Sequence, residues 1–507
     1  MALIKAMGIE TEYGIAVRHA ADFDPVAAST MVVNSYKGRD PRRSATWNYE
    51  EESPLMDARG FMSEVVNPDA GADDEAAPAV NDILTNGGRY YVDHAHPEYC
   101  TPECSNARDL VIYDKAGELI LEMSCRLAEQ MLEEPRELAI YKNNSDGKGH
   151  SYGCHENYLV DRKTPFQSIV DGFTPFLVTR QVFAGAGKVG AENGGAHADF
   201  QIAQRSDFFE TEVGLSTMVD RPIINTRDEP HADEKLYRRF HVIVGDANMS
   251  EFATYLKAGT AAITLQMIED GLIRDQFKMR EPVSAMRAVS RDLDFERDYA
   301  MEHMRRLSAI DIQRRYQRLA EQYVVDRRNV DQRHEVNADV VRQWGNTLDL
   351  LESDASQLDR RLDWVIKRSW LTAYRDRYDL EWTNHRMRML DLQYHDIRPR
   401  AGIFYRLQKA GRIDRIISQE EAIHAISNPP LDTRAYFRGT CLKRFPEAVH
   451  AASWNSLIFD TNERDLRMIP MLHPLRGTRT MVGEMLQQSE TPTQLLEYIE
   501  SKSKVNP

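Results

Sequence analysis

The chain opens on a segment in which apolar and polar residues alternate. Residues 7–18, MGIETEYGIAVR, follow the period of two that is typical of a β-strand with one buried face. Alternate side chains of a strand point to the same side, so Glu10 and Glu12 are predicted to lie on one face, about 6–7 Å apart. Such a pair of carboxylates suits a hard divalent cation such as Mg²⁺, and a solvated polar face is the simpler alternative.

The next periodic segment has the spacing of a helix. Over 106–134, apolar residues recur every three or four positions, at Ala116, Leu119, Ile120, Met123, Leu127 and Met131. Strand-like segments follow at 138–143, 151–161, 198–204, 209–216, 221–226 and 238–245. Because no helix separates the strands near 200–245, the order favours an antiparallel sheet in an α+β fold. The charged, helical stretch 250–425 is expected to pack over this sheet.

One long segment near the N terminus breaks the periodicity. The pattern is lost between about 35 and 80, and the acidic part at 67–80 is typical of a mobile loop. Within the same segment, 46–61 carries aromatic side chains that could dock on the rest of the protein, namely Trp47, Tyr49 and Phe61. A functional lid and plain disorder are both compatible with this insertion.

A linker is predicted towards the C terminus. The stretch SNPPLDT at 427–433 contains two consecutive prolines, which cannot continue a helix. The predicted organisation is therefore a large domain at 1–430, with the insertion at 35–80, and a small domain at 431–507.

The amino-acid composition predicts a globular protein and disfavours a membrane protein and a nucleic-acid-binding protein. Of the 507 residues, 42% are hydrophobic and 28% charged, as expected for a globular protein with a core. No apolar run approaches the roughly 18 residues that a membrane helix needs, and the first residues resemble no targeting peptide. Five cysteines at irregular spacing favour a reducing cytoplasm over a disulfide framework. The net charge of -15 disfavours nucleic-acid binding, since neutralising phosphates requires clustered Lys and Arg.

The stretch RYYVDHAHPEYCTPEC, 89–104, is the densest candidate for chemistry, and two kinds of site are compatible with it. A zinc site would use His94, His96, Cys100 and Cys104. The C-x3-C spacing lies in one short acidic segment without a second pair of cysteines, which disfavours zinc. A carboxylate site would instead use Tyr91 and Asp93, which share a strand face, together with Glu98 beyond the turn.

Other polar motifs each have a structural and a functional interpretation. The HEN triplet containing His155 is not H-E-x-x-H, so a zinc protease is rejected. GAGKVG at 185–190 matches a dinucleotide fingerprint, but no helix can follow it, and we expect a flexible loop. Arg227 and Arg434 are candidates for binding phosphate or carboxylate, against surface ion pairing as the alternative. Trp454 could stack on a base, although a core position is the more common fate of tryptophan.

Several long motifs, in order along nearly the whole chain, resemble the Pup ligase/depupylase family of actinobacteria. They are MGIETEYG, YVDHAHPEY, YKNNSDGKGHSYGCHENYL, PFLVTRQ, IINTRDEPHAD, HVIVGDAN, DLQYHDI and AGIFYRL. The resemblance implies a glutamine synthetase-like large domain, with a curved, mainly antiparallel sheet covered by helices, and a small C-terminal domain.

The family has two branches that act in opposite directions. One ligates Pup, the prokaryotic ubiquitin-like protein, to lysines, and the other is a hydrolase with a long insertion before the catalytic strand. TWNYEEESPLMDARGF at 46–61 resembles that insertion, and the tail DTRAYFRGTCLKRF is similar to the hydrolase branch. The resemblance thus implies deamidation of the C-terminal glutamine of Pup and cleavage of the Pup–lysine isopeptide bond. A Pup–protein ligase is the alternative.

The resemblance also implies the residues of the site. The catalytic residue would be Asp93, acting either as a nucleophile or as the base that activates water. The implied Mg²⁺ ligands are Glu10, Tyr91 and Glu98, with Glu12, His155 and His241 lining the same site. The implied ATP contacts are Arg89, Thr101 and Trp454, to which Arg227 and Arg434 are added. The expected partners are Pup and pupylated proteins, in a groove with the candidates Arg205, Arg227, Arg238 and Arg239.

Overall fold

The structure, a computed structural model, describes residues 2–503 apart from 21, 41, 44, 51, 63–79, 134, 304, 329, 330, 332 and 462–464. These residues form an α+β fold in which helices cover a mainly antiparallel six-stranded sheet, so the predicted fold class is confirmed. The acidic stretch 67–80, predicted to be a mobile loop, lies outside the described residues except for Val80.

The described residues form twenty strands and fifteen α-helices. The strands are β1 (Met7–Glu12), β2 (Gly14–Arg18), β3 (Thr46–Trp47), β4 (Met56–Asp57), β5 (Phe61–Met62), β6 (Asn81–Ile83), β7 (Arg89–Asp93), β8 (His96–Cys100), β9 (Glu137–Tyr141), β10 (Cys154–Asp161), β11 (Lys188–Val189), β12 (Phe200–Gln201), β13 (Thr211–Gly214), β14 (Pro222–Asn225), β15 (Tyr237–Val242), β16 (Asp298–Tyr299), β17 (Leu307–Ser308), β18 (Val449–Ala452), β19 (Ser456–Phe459) and β20 (Arg467–Pro470). The helices are α1 (Pro25–Lys37), α2 (Ala107–Glu129), α3 (Phe166–Thr179), α4 (Gln181–Ala184), α5 (Glu251–Glu269), α6 (Pro282–Ser290), α7 (Ala309–Asp326), α8 (His334–Ser353), α9 (Asp363–Arg377), α10 (His385–Tyr394), α11 (Ile403–Lys409), α12 (Gln419–Ala425), α13 (Ala435–Arg444), α14 (Arg479–Gln488) and α15 (Pro492–Ser503).

The central sheet has the order β15-β10-β1-β8-β7-β6, and every neighbouring pair is antiparallel. In β1, Met7, Ile9 and Thr11 are buried against the helices, while Glu10 and Glu12 lie half-buried on the opposite face. The predicted alternation of this strand is confirmed, and it divides the sheet into an apolar back and a polar front.

The prediction of a single strand over 7–18 is wrong, because the chain changes sheets at Tyr13. Only β1 belongs to the central sheet, whereas β2 pairs with β9 in a separate ribbon. Tyr13 is fully buried, and its backbone N–H donates to the carbonyl of Pro97. At Gly14 a Cβ would lie 2.5 Å from the hydroxyl oxygen of Tyr152, so only glycine fits at the point where the second strand begins.

The other predicted elements exist with shorter bounds. The helix predicted at 106–134 is α2, which ends at Glu129 and leaves Met131 exposed. Of the strands predicted near 200–245, only β15 joins the central sheet, whereas β12 pairs with β11 and β13 pairs in parallel with β14. A buried single-turn 3-10 helix at Ser206–Phe208 separates β12 from β13 and prevents them from continuing as one strand.

The flexible loop predicted at GAGKVG is also wrong. Residues 185–189 are buried, and Lys188–Val189 form a strand antiparallel to Phe200–Gln201. The Lys188 ammonium forms an ion pair with Glu192 and lies 5.1 Å from the ring of Phe208. This motif therefore belongs to the packed wall of the protein and carries no phosphate loop.

Helices pack on the back of the central sheet, as predicted for 250–425. Helix α5 is buried along its whole length except for Glu269. The ring of Phe173 in α3 meets that of Phe240 in β15 edge to face, with centroids 5.6 Å apart. Among the described residues, no helix combines the length and apolar character needed to cross a membrane. The polar front of the sheet remains the face available for chemistry.

The C-terminal segment forms a smaller four-stranded sheet with the order β20-β19-β18-β3. Strand β3 comes from the insertion, and its Trp47 packs in the same apolar cluster as Ile83 and the C-terminal helices. The predicted linker at 427–433 contains no regular element, although Thr433 is buried against the carbonyl of Glu103. The boundary near residue 430 stays a prediction.

Candidate active site

The front of the central sheet brings together carboxylates from three strands. Glu10 lies opposite His155 of β10, and Glu12 lies opposite Glu98 of β8. Tyr91 of β7 is in register with Glu98, one strand further along. The spacing prediction that Glu10 and Glu12 share a face is therefore confirmed, and the sheet extends that face across four strands.

The catalytic candidate Asp93 lies at the end of β7, where a two-residue turn leads into β8. His94 occupies this turn with a positive φ of 49°, and its Nδ1 lies 3.0 Å from Oδ2 of Asp93. His94 therefore orients the carboxylate instead of belonging to a zinc site. His96, on the far side of the turn, is engaged with the backbone carbonyl of Tyr13.

The Asn157 side-chain amide on the front of the sheet links His241 to Glu10. Asn157 donates to Oε1 of Glu10 at 2.8 Å, and its Oδ1 lies 2.9 Å from Nδ1 of His241. The same Oδ1 accepts a hydrogen bond from Arg239 at 2.7 Å. The rings of His155 and His241 meet edge to face, with centroids 5.0 Å apart. The sequence predicts that Asn157 shares a strand face with His155, but its role in linking Glu10 to His241 was not predicted.

The described residues contain two groups of side chains that could hold a metal ion. In each group, one ligand atom per residue lies within 4.8 Å of the others, and the groups are Glu10, His155 and His241, and Glu12, Asp93 and Glu98. The second set offers only oxygens and fits a hard cation such as Mg²⁺, while the first mixes oxygen with nitrogen. Neither group contains a member of the zinc set His94, His96, Cys100 and Cys104, and both cysteines are buried thiols.

The pKa values of the carboxyl groups in the two candidate metal groups depend on burial and on the charges close to them. Burial and the charges of Asp93, Glu12 and Glu10 raise the pKa of Glu98 well above its ordinary value. Burial opposes ionisation of Glu10, but the hydrogen bond from His155 and the charge of Arg239 lower its pKa to about 2. Burial likewise opposes ionisation of Asp93, and His94 nevertheless keeps the pKa of Asp93 below its ordinary value. A cation among these carboxylates would relieve their repulsion.

The front of the sheet lines a cleft of about 590 Å³, which we call the main cleft. Eight of the predicted site residues line it, namely Glu10, Glu12, Tyr91, Asp93, Glu98, His155, Arg227 and His241. Gly153 closes its floor: an added Cβ would clash with the His155 ring and lie 2.7 Å from Oε1 of Glu12. A bare backbone at this position thus lets both candidate metal groups form side by side.

A smaller cavity of about 80 Å³, the side cavity, adjoins the main cleft through Glu10. Its lining includes the predicted nucleotide contacts Thr101, Trp454 and Arg434. Arg434 is buried, donates to Glu103 at 2.7 Å and also donates to two backbone carbonyls, so it shapes the wall of the cavity. His231, which sequence reasoning missed, lines the same cavity, and burial together with the charge of Arg239 lowers its pKa well below the ordinary value.

Arg89 is the one predicted contact that lines neither cavity. Its guanidinium lies between two aromatic rings, 4.1 Å from the centroid of Trp47 and 3.9 Å from that of Tyr91. Trp47 in turn meets Trp454 edge to face, with centroids 5.4 Å apart. Arg89 therefore connects the insertion, the main cleft and the side cavity through stacked side chains.

The described part of the insertion docks beside the main cleft. The backbone N–H groups of Ala58 and Asp228 donate to the carbonyls of Thr226 and Met56, and thus hold the insertion against the segment that carries Arg227. The buried carboxylate of Asp57 accepts a hydrogen bond from the Thr226 hydroxyl at 2.6 Å. Of the three aromatic side chains predicted to dock, Trp47 is buried, whereas Tyr49 and Phe61 remain exposed.

The four arginines predicted to line the Pup-binding groove do not all lie on the same face of the protein. Arg205 and Arg227 line the main cleft, and Arg239 lines the side cavity. Arg238 lies on the opposite face of β15, where it donates to the carbonyl of Thr164, so its assignment to the groove is wrong. Consecutive residues of a strand point to opposite faces, which accounts for the difference between Arg238 and Arg239.

Comparison with known proteins gives consistent matches over the whole chain. The family described as "Pup-ligase protein" matches residues 5–458. The chain is 51% identical over 497 residues to a depupylase from Acidothermus cellulolyticus, covering 97% of this chain and 98% of that protein. It is 44% identical over 500 residues to a Pup deamidase/depupylase from Mycolicibacterium smegmatis, covering 98% and 99%. A Pup–protein ligase from Mycobacteroides abscessus is 42% identical over 411 residues, covering 80% and 90%.

Two solved structures share the fold. The complex between the prokaryotic ubiquitin-like protein Pup and its ligase PafA superposes with a TM-score of 0.80 at 29% identity, covering 99% of this chain and 95% of that chain. The Pup ligase PafA in complex with ADP gives a TM-score of 0.74 at 33% identity, covering 84% and 95%. With the front of the central sheet forming a carboxylate-rich cleft, these matches establish that the chain belongs to the Pup-ligase protein family.

Proposed function

We propose that this protein is a hydrolase that deamidates the C-terminal glutamine of Pup and cleaves the isopeptide bond between Pup and lysine. The observation that carries the proposal is the placement of Asp93 within an all-oxygen group of candidate metal ligands at the floor of an open cleft. The names of the depupylases that align over nearly the whole chain support the hydrolytic direction.

We further propose ATP and Mg²⁺ as the cofactors. The side cavity, next to Glu10 and lined by Thr101 and Trp454, would receive the base of the nucleotide, and the ADP-bound ligase structure supports a nucleotide site in this fold. Mg²⁺ would be held by Glu10, Tyr91 and Glu98, with Glu12, His155 and His241 lining the same site, which leaves Asp93 for the reaction. Bound Mg²⁺ and phosphate would supply positive charge and hydrogen bonds that stabilise the developing oxyanion. Arg227 lines the main cleft with its buried Nε unpartnered, as expected of a group reserved for an anion.

Asp93 would carry out the proton or acyl chemistry. Its side chain is 37% exposed and its lowered pKa keeps it ionised at neutral pH, as required of either a nucleophile or a base. In both routes the C–N bond of the side-chain amide breaks and a C–O bond to a water oxygen forms. The nitrogen leaves with protons as ammonia or as the lysine amine. Hydroxylamine would trap an acyl intermediate on Asp93 during a single turnover, and it would trap nothing if Asp93 only activates water.

The decisive experiment is an incubation with two substrates. Pup ending in glutamine and a Pup–lysine conjugate are each mixed with the protein, with and without ATP and Mg²⁺. We expect ammonia from the first, free lysine-containing protein from the second, and neither without the cofactors. ATP-driven joining of glutamate-ended Pup to a lysine substrate, without hydrolysis of either probe, would establish the ligase instead.

The proposed cation site has its own test through Gly153. Gly153→Ala places a methyl group against both His155 and Glu12, so Mg²⁺ or Mn²⁺ affinity should fall by about 10-fold or more. Gly38→Ala is the matched control, because Gly38 lies at the end of α1 with an ordinary φ of -64°. Equal cation affinity of the two variants in a titration would contradict the assignment of Glu12 and His155.

The remaining predictions are carried forward as proposals. The insertion acts as a lid, and deleting 46–61 should change turnover or its response to ATP, whereas a mere spacer would leave the kinetics unchanged. The protein works in the reducing cytoplasm, in keeping with five cysteines that are all free thiols buried in the structure. Residues 1–430 and 431–507 serve as catalytic and accessory domains.

A further inference from the structure

The substrate of the proposed reaction carries a charged group, its α-carboxylate, close to the amide bond that is cleaved. The reacting residue is the last of the Pup chain in both reactions, so its free α-carboxylate enters the cleft together with the side-chain carbonyl. The front of the sheet already presents Glu10, Glu12, Asp93 and Glu98, which repel another anion. A productive complex therefore needs a fixed positive group that receives the α-carboxylate. The following inference rests on the proposed function.

Two arginines that line the main cleft are available to receive this carboxylate. Arg205 and Arg221 both line the cleft, and neither forms an ion pair with any carboxylate of the described residues. Arg205 is 2% exposed and donates through Nε to the Ser151 hydroxyl at 3.2 Å and through Nη1 to the carbonyl of Ile243. Its Nη2 has no hydrogen-bond partner among the described residues.

Arg221 is held beside Arg205 by the same serine. Its Nη2 donates to the backbone carbonyl of Ser151 at 3.1 Å, and its Nε donates to that of Thr217 at 2.8 Å. Neutral acceptors thus fix the direction of each guanidinium without neutralising its charge. Burial and the neighbouring charge of Arg221 lower the pKa of Arg205 to about 10, which reflects two cations held side by side.

Arg205 differs in this respect from the buried arginines that are paired with carboxylates. Arg180 is paired with Glu156, and Arg438 with Glu103. A buried cation without a carboxylate partner is costly unless a ligand supplies the missing charge. The planar fork of arginine binds a carboxylate through two parallel hydrogen bonds, and two forks around one anion fix its position.

The arginine pair and Asp93 line the same cleft and have Glu12 as a common neighbour. Glu12 interacts electrostatically with both arginines, yet it forms an ion pair with neither. A carboxylate oxygen of the same Glu12 lies within 4.8 Å of ligand atoms of Asp93 and Glu98. A substrate residue in this cleft therefore meets both the arginine pair and the catalytic carboxylate.

We propose that Arg205 and Arg221, oriented by Ser151, form the subsite that binds the α-carboxylate of the C-terminal residue of the substrate. Binding there places the side-chain carbonyl of the same residue at Asp93. The subsite makes the enzyme selective for a glutamine or a conjugated glutamate at the end of a chain. An internal glutamine lacks the charge and is rejected.

The test compares two substrates and four proteins. One substrate is Pup ending in glutamine, and the other carries an α-N-methylamide on that glutamine, which removes the charge but keeps the side-chain amide. Ammonia release is measured with wild type, Arg221→Gln, Arg221→Lys and the control Arg287→Gln. Arg287 lies outside the cleft, is half-buried and donates to the carbonyl of Phe209, so it matches Arg221 in burial and bonding.

We expect wild type and Arg287→Gln to prefer the free carboxylate by about 30-fold or more in kcat/KM, the scale for losing one partner of a buried charge pair. Arg221→Gln should lose about the same factor on the natural substrate and show little further loss on the methylamide. Arg221→Lys, which keeps the charge without the fork, should lie between the two. Thermal unfolding of each variant shows whether it is folded, and the preference of wild type requires no variant at all.

The outcomes separate this inference from the function on which it rests. No ammonia from wild type with either substrate would overturn the proposed deamidase. Equal rates of wild type on the two substrates would overturn the carboxylate subsite and leave the deamidase standing. A wild-type preference that persists undiminished in folded Arg221→Gln would place recognition of the α-carboxylate elsewhere.

Discussion

The two faces of the central sheet differ in whether their carboxylates are paired with a positive side chain. On the back of β10, Glu156 accepts two hydrogen bonds from Arg180, at 2.8 and 2.5 Å, and one from Tyr158. On the front of the neighbouring strands, Glu12, Asp93 and Glu98 bring carboxylate oxygens within 4.8 Å of one another. The same sheet therefore carries an ion pair on one side and a group of mutually repelling acids on the other.

This difference in pairing distinguishes carboxylates that stabilise the fold from carboxylates available to bind a ligand. Arg180 keeps the pKa of Glu156 below its ordinary value although burial opposes ionisation, whereas burial and neighbouring acids raise the pKa of Glu98. The matched arrangement recurs where the C-terminal segment meets the sheet, since Glu103 pairs with both Arg434 and Arg438. Uncompensated charge in an open cleft is a property of binding sites, and compensated charge in the core is a property of scaffolds.

The largest effect on activity is expected from a substitution on the front of the sheet that removes a charge but keeps the size of the side chain. Asp93→Asn removes the nucleophile or base and should lower kcat for ammonia release on the order of 10³-fold or more. ATP binding, which depends on the side cavity, should be retained. Ammonia release is measured under saturating ATP, and nucleotide affinity by fluorescence titration. Near-wild-type turnover would remove Asp93 from the chemistry.

A substitution that removes a charge on the back of the sheet should lower the stability of the protein. Arg180→Met leaves the Glu156 carboxylate buried and unpaired, at a cost of about 3–5 kcal/mol in the free energy of unfolding. The double variant Glu156→Gln with Arg180→Met removes both charges and should recover much of this loss. Urea unfolding of the two variants provides the comparison. Equal stability of the single and double variants would mean that the pair is not matched as described.

The Glu103 pair predicts a defined dependence on pH. The pKa of Glu103 is lowered from 4.5 to about 2, because Arg438 and Arg434 outweigh the cost of burial. This contribution is present above the unfolded pKa and is lost as the pH falls from about 4.5 towards about 2. Glu103→Gln should therefore destabilise the protein by about 3 kcal/mol near neutral pH. The gap between variant and wild type should close in acid, and a gap independent of pH would contradict the assignment.

The smallest effect is expected from Glu98, and it has the opposite sign. Burial and the neighbouring acids raise its folded-state pKa well above the ordinary value of 4.5, so the wild type loses stability as the pH rises from the unfolded-state pKa towards the folded-state pKa. Glu98→Gln resembles the protonated acid and should differ from wild type by less than about 1 kcal/mol at pH 5. The variant should gain relative stability towards neutral pH when unfolding is measured in a chelator. Marked destabilisation at neutral pH would show that Glu98 belongs to the scaffold.

Local patterns predicted much of the fold and part of the site. Alternation placed Glu10 and Glu12 on one face, and the same rule placed Tyr91 beside Asp93, because side-chain direction in a strand depends only on position. Helical spacing located α2 and the helical region that covers the sheet. The ends of these elements were predicted less well, since Tyr13 and Gly14 end one strand and begin another through contacts with distant residues.

The sequence by itself determined which residues face the same way within an element, the absence of a disulfide framework and, through its motifs, the family. Only the tertiary structure decided that Asn157 links His241 to Glu10, and that Trp47 of the insertion completes a C-terminal sheet. Periodicity specifies a face, whereas the neighbours on that face depend on strand order, which packing between distant segments determines. The unpaired state of Arg205 and Arg221 likewise became visible only in three dimensions, because pairing is a property of distance.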